Sequence, residues 1–160
     1  NIRNDLKLIS YMAYLCDLTK QVLKENNNNE LFDILINALN KIDNNLDPLI
    51  ITNIIELKYL EYLGIGLNLD SCIKCGTTKG IVTIDPDVGG FVCQNCYKNE
   101  YIVDPKTIKL IRMYYYVDIS SITEIKVSNK VKNEINMFLT RYYDRYTGLY
   151  LKSKDFLNKI

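Results

Sequence analysis

The 160-residue chain has no histidine, no tryptophan, three prolines and seven glycines. Without histidine, His-dependent nucleophilic triads and the HExxH zinc hydrolase helix are excluded. The one Gly-x-Gly, Gly64-Ile65-Gly66, lacks the third glycine of a dinucleotide loop, and there is no Walker phosphate loop. No apolar run approaches the ~20 residues that span a bilayer, so no membrane association is expected. No signal peptide is legible at the start, and the chain begins with Asn1 rather than Met, which leaves room for an upstream segment. Asp85 and Asp87 flank a proline and read as turn carboxylates, since turns recruit Asp for local backbone bonding. No catalytic constellation emerges.

What is present is an ordinary globular balance, 48% hydrophobic and 24% charged, over a length that suits one domain with or without a small inserted module. Such a chain buries roughly 70% of its unfolded surface and needs no covalent staples. The formal charge of +1 is unevenly spread: residues 1–71 hold six basic and ten acidic side chains, and residues 123–160 hold eight basic and four acidic ones. An anionic partner is therefore expected at the C-terminal quarter. The candidates are Lys126, Lys130, Lys132, Arg141, Arg145, Lys152 and Lys154, for phosphates or an acidic peptide tail. Glu134 and Asp144 interrupt the row, and a solvated mixed-charge surface is the plainer alternative. Tyr114, Tyr115, Tyr116, Tyr142, Tyr143, Tyr146 and Tyr150 offer rings that stack bases, though helical spacing favours core packing for most.

Four of the five cysteines form two Cys-x-x-Cys pairs, Cys72/Cys75 and Cys93/Cys96, with seventeen residues between them. Two disulfides would imply an oxidising compartment and would leave Cys16 over. A thioredoxin-like redox pair should follow a strand and open a helix, a setting neither pair has. The spacing fits a zinc ribbon, in which two tight turns supply four thiolates to one tetrahedral ion; iron in a rubredoxin-like site is the remaining choice. Gly76 stands where the first turn needs positive φ. "GIVTID" and "GGFVC" read as two short strands around residues 86–90, so residues 69–99 form an inserted hairpin module. Four protein ligands leave no open position, which makes the metal structural. Full ligation would add −2 and take the formal charge from +1 to about −1. Cys16 lies in a helical apolar pattern and is expected to be a buried small hydrophobe.

Around the ribbon the periodicity is helical. In the first helix Leu6, Ile9, Ala13, Cys16 and Leu23 are expected inward. In the second the inward set is Leu31, Leu35, Ala38, Leu39 and Ile42. Asp47 and Pro48 start a third helix, 48–62, that is apolar nearly all round and therefore central, with Gly64 ending it. Asp104 and Pro105 start a fourth. Ser128 opens a last long helix to about residue 148, with Ile135, Phe138, Leu139, Tyr142, Tyr146 and Leu149 inward. The expected fold is an all-α helical bundle with an inserted four-cysteine zinc-ribbon β-hairpin.

Together, "LEYLGIGLNLDSCIKCG", "GGFVCQNC" and "FLTRYYDRYTGLYLKSKDFL" resemble the C-terminal helical domain of the bacterial RecO family of recombination mediators. The resemblance implies metal ligation by Cys72, Cys75, Cys93 and Cys96 and a non-enzymatic role in DNA repair. It implies binding and annealing of single-stranded DNA, contact with the tail of single-strand-binding protein, and RecA loading with RecR. A cytoplasmic, nucleoid-associated location follows from it. The family's N-terminal OB-fold is not present in residues 1–160. For an acidic, hydrophobic-ended tail, Arg141 and Arg145 beside the Phe138–Tyr142–Tyr146 stripe are the expected receiving surface. The alternative is a structural zinc-ribbon helical domain for protein–protein contact in transcription or ribosome assembly.

Overall fold

A computed structural model describes residues 2–149 and 151–160, the side chain of Ile2 excepted. Tyr150 lies outside the described residues. The elements run in the order α1 (Ile2–Glu25), α2 (Glu30–Asp43), α3 (Pro48–Tyr62), β1 (Ile81–Asp85), β2 (Gly90–Cys93), α4 (Pro105–Tyr116), a short 3-10 turn (Ile119–Ser121), α5 (Asn129–Tyr146) and α6 (Lys152–Lys159). The helices form one bundle, and the two strands form an antiparallel hairpin inserted between α3 and α4.

α3 is the axis. It packs against α1, α2, α4 and α5, and Ile50, Ile51, Ile54, Ile55, Leu57, Tyr59 and Leu60 are buried around its circumference. A helix apolar on all sides is stable only when surrounded. Its ends are those the sequence predicts: the Asp47 side chain accepts from Leu49 N with Pro48 in the first turn, and Gly64 takes φ +76° after the last turn. α4 and α5 start in the same manner, capped by Asp104 and Ser128.

α1 differs from expectation. Its buried face is Tyr11, Tyr14, Leu15, Leu18 and Val22, while Leu6 and Ile9 are about three-fifths exposed and Ala13 and Cys16 lie outside. At 100° per residue the two sets lie on opposite sides of the helix. The face that wins sets two tyrosines, two leucines and a valine against Leu6, Ile9, Ala13 and Cys16, and so buries the larger area, while Leu23 at the helix end stays partly buried. Its hydroxyls also find partners inside: Tyr14 donates to Glu56 Oε2 at 2.7 Å, and Thr19 donates to Leu15 O at 2.7 Å. Cys16 is therefore exposed rather than buried. In α2 the expected face holds, with Leu31, Ala38 and Ile42 buried and Leu35 and Leu39 partly so.

α6 extends the fold beyond the long closing helix and lies against α1. It is pinned by a buried ion pair. Lys154 Nζ, on a residue 4% exposed, lies 2.9 Å from Oε2 and 3.0 Å from Oε1 of Glu56, itself 1% exposed. Asn53 donates to Glu56 Oε1 at 2.8 Å, and Lys154 also donates to Asn136 Oδ1 at 2.8 Å. The ammonium sits 5.3 Å from the centre of the Tyr14 ring. A charge is tolerated in the interior only when paired and hydrogen-bonded. Lys154 finds that combination at Glu56, and this fixes where α6 docks.

Candidate metal centre and the surfaces around it

The first cysteine pair lies in a turn whose backbone closes on itself. Cys72 N donates to Thr77 O at 2.8 Å, Gly76 N donates to Cys72 O at 2.9 Å, and Gly76 takes φ +78°. The second pair begins at the end of β2, where Cys96 N and Tyr97 N both donate to Cys93 O. Strand register joins the two turns. Ile81 pairs with Cys93, Ile73 N donates to Phe91 O at 2.8 Å, and Gln94 N donates to Gly80 O at 2.8 Å.

The result is a set of four sulfurs all within 4.8 Å of one another. Cys75 Sγ and Cys93 Sγ are 3.6 Å apart. Zinc–sulfur bonds of about 2.3 Å in a tetrahedron place sulfurs about 3.8 Å apart, so the cluster matches a four-thiolate ion site with small adjustments. Cys72 and Cys93 are buried, and Cys75 is exposed. Burial pushes the Cys72 thiol up, but amide hydrogen bonds from Cys75, Cys93 and Lys74 outweigh it and bring it to about 6. Hydrogen bonds shared with Cys75 and Cys93 push Cys96 up to about 12. The thiols thus compete for negative charge among themselves, and a divalent cation would let all four ionise. An all-sulfur set suits a soft or borderline ion, and four ligands leave no position for substrate or activated water.

The ribbon is seated on the bundle by Ile84 and Phe91, both buried in the bundle's hydrophobic core. Its turn meets the C-terminal end of α5. Tyr146 donates to Asp87 O at 2.8 Å, and Arg145 Nη1 lies 3.4 Å from Asp87 Oδ1. A Cβ on Gly89 would meet the Tyr142 ring and the Tyr146 hydroxyl at 3.6 Å. Asp85 acts as the expected turn carboxylate, accepting from Asp87 N at 2.9 Å. On the other flank Asp70, two residues before Cys72, receives Tyr116 OH at 3.2 Å and Arg112 Nη2 at 3.7 Å.

The structure scatters the seven C-terminal cations. Lys126, Lys130, Arg141, Arg145 and Lys152 are exposed. Lys132 is half-buried and pairs with Asp47 at 2.7 Å. Lys154 does not reach the surface, because its ammonium closes on Glu56. The Phe138–Tyr142–Tyr146 stripe is not an open groove either. Phe138 and Tyr142 are buried and stacked at 5.6 Å, and the hairpin turn lies over the Tyr142–Tyr146 end. Tyr114 and Tyr143 are core residues, whereas Tyr116 is 62% exposed. Sequence reasoning passed over Glu56, Asn53 and Asn136, since a polar residue on a helix carries no signal of its eventual partner. It also passed over the row Lys106, Lys109, Arg112, legible as three cations in a helix with no carboxylate.

Fold and site define a class: a helical-bundle domain that carries an inserted four-cysteine ribbon. The family described as "Recombination protein O C terminal" matches residues 3–155. A "DNA repair protein RecO" of Bacillus pumilus is 37% identical over 163 residues, covering 99% of this chain and 64% of that protein. The protein of the same name from Bacillus subtilis is 32% identical with the same coverage, and that of Listeria innocua is 32% identical over 98% of this chain and 63% of its own length. The chain belongs to the RecO family, matching its C-terminal part. It spans just under two thirds of the length of these relatives.

Proposed function

We propose that this chain is the helical, metal-bearing part of a recombination mediator in DNA repair and contributes no bond chemistry of its own. One zinc ion held by Cys72, Cys75, Cys93 and Cys96 keeps the ribbon folded and seated on α5. The partners are single-stranded DNA, the acidic tail of single-strand-binding protein, and RecR during RecA loading, in the cytoplasm at the nucleoid. Exposed cations of the closing region, Lys126, Lys130, Arg141, Arg145 and Lys152 with Lys132 at their edge, are assigned to the acidic tail. Lys154 is left out of that set because it is sealed inside.

The observation that carries this reading is the four-sulfur cluster, closed to substrate, in a chain similar to DNA repair proteins over 98–99% of its length. No helix among the described residues is long and apolar enough to cross a membrane. Two measurements test it. Elemental analysis should find one zinc per chain; an iron chromophore or no metal removes the zinc assignment. Annealing of complementary strands coated with single-strand-binding protein should be accelerated by the zinc-loaded chain or by the longer polypeptide that contains it. Absence of annealing in both would remove the mediator role and leave a structural ribbon for protein contact.

A further inference from the structure

We infer that the exposed face of α4 is the docking stripe for the backbone of a single-stranded nucleic acid, an assignment that rests on the mediator reading and supplies its surface. α4 reads PKTIKLIRMYYY, three cations without a carboxylate. Lys106, Lys109 and Arg112 are exposed, and Tyr116 follows one turn after Arg112. At 100° per residue the four positions share an arc of about 120°. Thr107, Ile111 and Tyr114 occupy the buried side. The cations recur about every 4.5 Å along the axis, so their long side chains can address successive phosphates of one strand.

The carboxylates at the two ends of α4 are occupied by backbone amides. Asp104, at the N-terminal end, accepts from Lys106 N at 2.9 Å as the helix cap. Asp118, past the C-terminal end, accepts from Ser120 N at 3.0 Å and Ser120 Oγ at 2.9 Å. Asp70 touches the stripe itself, at Arg112 and Tyr116, through exposed contacts of 3.7 and 3.2 Å that an arriving phosphate can replace. α5 differs in two respects: Asp144 stands among its cations, and Lys132 is held by Asp47 at 2.7 Å; its Arg145–Asp87 contact is exposed like that of Arg112.

Chemistry favours a nucleic acid over an acidic peptide here. A peptide with apolar anchors needs a groove, and the α4 face has none of the exposed aliphatic residues that would line one. It has one exposed ring, Tyr116, held edge-on by Tyr115 at 5.1 Å and tethered to Asp70. Cations that follow a backbone, with an aromatic ring for a base, are the features of sequence-tolerant single-strand binding. Because Asp70 lies beside Cys72, the ribbon sets the position of the C-terminal end of this stripe.

The test uses the zinc-loaded chain and fluorescein-labelled oligothymidylate, with anisotropy read between about 50 and 200 mM salt. The triple change Lys106→Gln, Lys109→Gln, Arg112→Gln should weaken binding at least about tenfold at low salt and flatten the log–log salt slope by about 2. Lys126→Gln, Lys130→Gln, Arg141→Gln on the closing region should leave affinity within about twofold and the slope unchanged. Tyr116→Ala should weaken the single strand several-fold and leave a blunt duplex unaffected. Loss in the closing-region triple with none in the α4 triple overturns the placement while the mediator reading stands. No binding of the strand by the unmodified chain overturns the placement as well; the annealing assay on the longer polypeptide then decides the mediator reading separately. Equal competition by polyglutamate, lost in the same α4 triple, makes the stripe a general polyanion surface and removes the nucleic-acid assignment.

Discussion

α3 puts ten of its fifteen residues into the interior, whereas β1 and β2 supply only nine residues between them, paired along one edge. Burial at roughly 25 cal/mol per Å² of apolar surface is enough to organise the bundle around that axis. An isolated two-stranded hairpin is marginal in water. The ribbon therefore draws on two further resources, a cluster of four sulfurs and a seat on the bundle, with β1 against α4 and the hairpin turn against the end of α5. Within the bundle the buried Glu56–Lys154 ion pair departs from this apolar logic and ties α6 to α3. One region is held mainly by area, the other by a few ligands of high individual weight. Damage to each should look different.

The sharpest separation should come from the metal. Chelation, or Cys93→Ser, removes binding energy on the order of 10 kcal/mol in comparable isolated sites. Amides of residues 70–99 should then exchange rapidly while far-UV circular dichroism keeps most of its helical signal. Collapse of the helices in the same sample would show that the ribbon is no separable module.

Next in size is the buried pair. Lys154→Met strands the Glu56 carboxylate and should cost about 3–5 kcal/mol by urea denaturation, while the double change Glu56→Leu, Lys154→Met should recover most of it. Zinc content should be unaffected in both. A loss of metal with Lys154→Met would mean the two regions are coupled through the bundle more tightly than their contacts indicate.

Removing a helix cap is smaller. Asp104→Ala frees the amide of Lys106 and should destabilise by about 1 kcal/mol, read as a lower denaturation midpoint with an unchanged slope. The smallest effect is expected at the seam between the regions. The Arg145–Asp87 contact is exposed on both sides, and Arg145→Ala should change stability by only about 0–1 kcal/mol. A larger loss would reveal that the hairpin turn depends on that ion pair rather than on the buried Ile84 and Phe91.

The sequence by itself determined the features that are local. Asp-Pro starts, a glycine after a helix, and a fully apolar helix state their own conformation, because capping and chain entropy act over a few residues. Cys-x-x-Cys spacing belongs to the same class, since each turn needs only its own backbone, and the two strands between them were legible from their turn residues. The tertiary structure decided which of two apolar faces of α1 turns inward, and so brought Cys16 to the surface. It decided that Lys154, one of seven surface cations on paper, is the buried partner of a carboxylate 98 residues away. It also laid the hairpin turn over the Tyr142–Tyr146 end of the α5 aromatic stripe, leaving Tyr146 partly open, and left the cations of α4 outward. In each case the sequence carried two acceptable local solutions. Only the long-range partner, a carboxylate, a ring or a hairpin brought close by the fold, supplied the free energy that separates them.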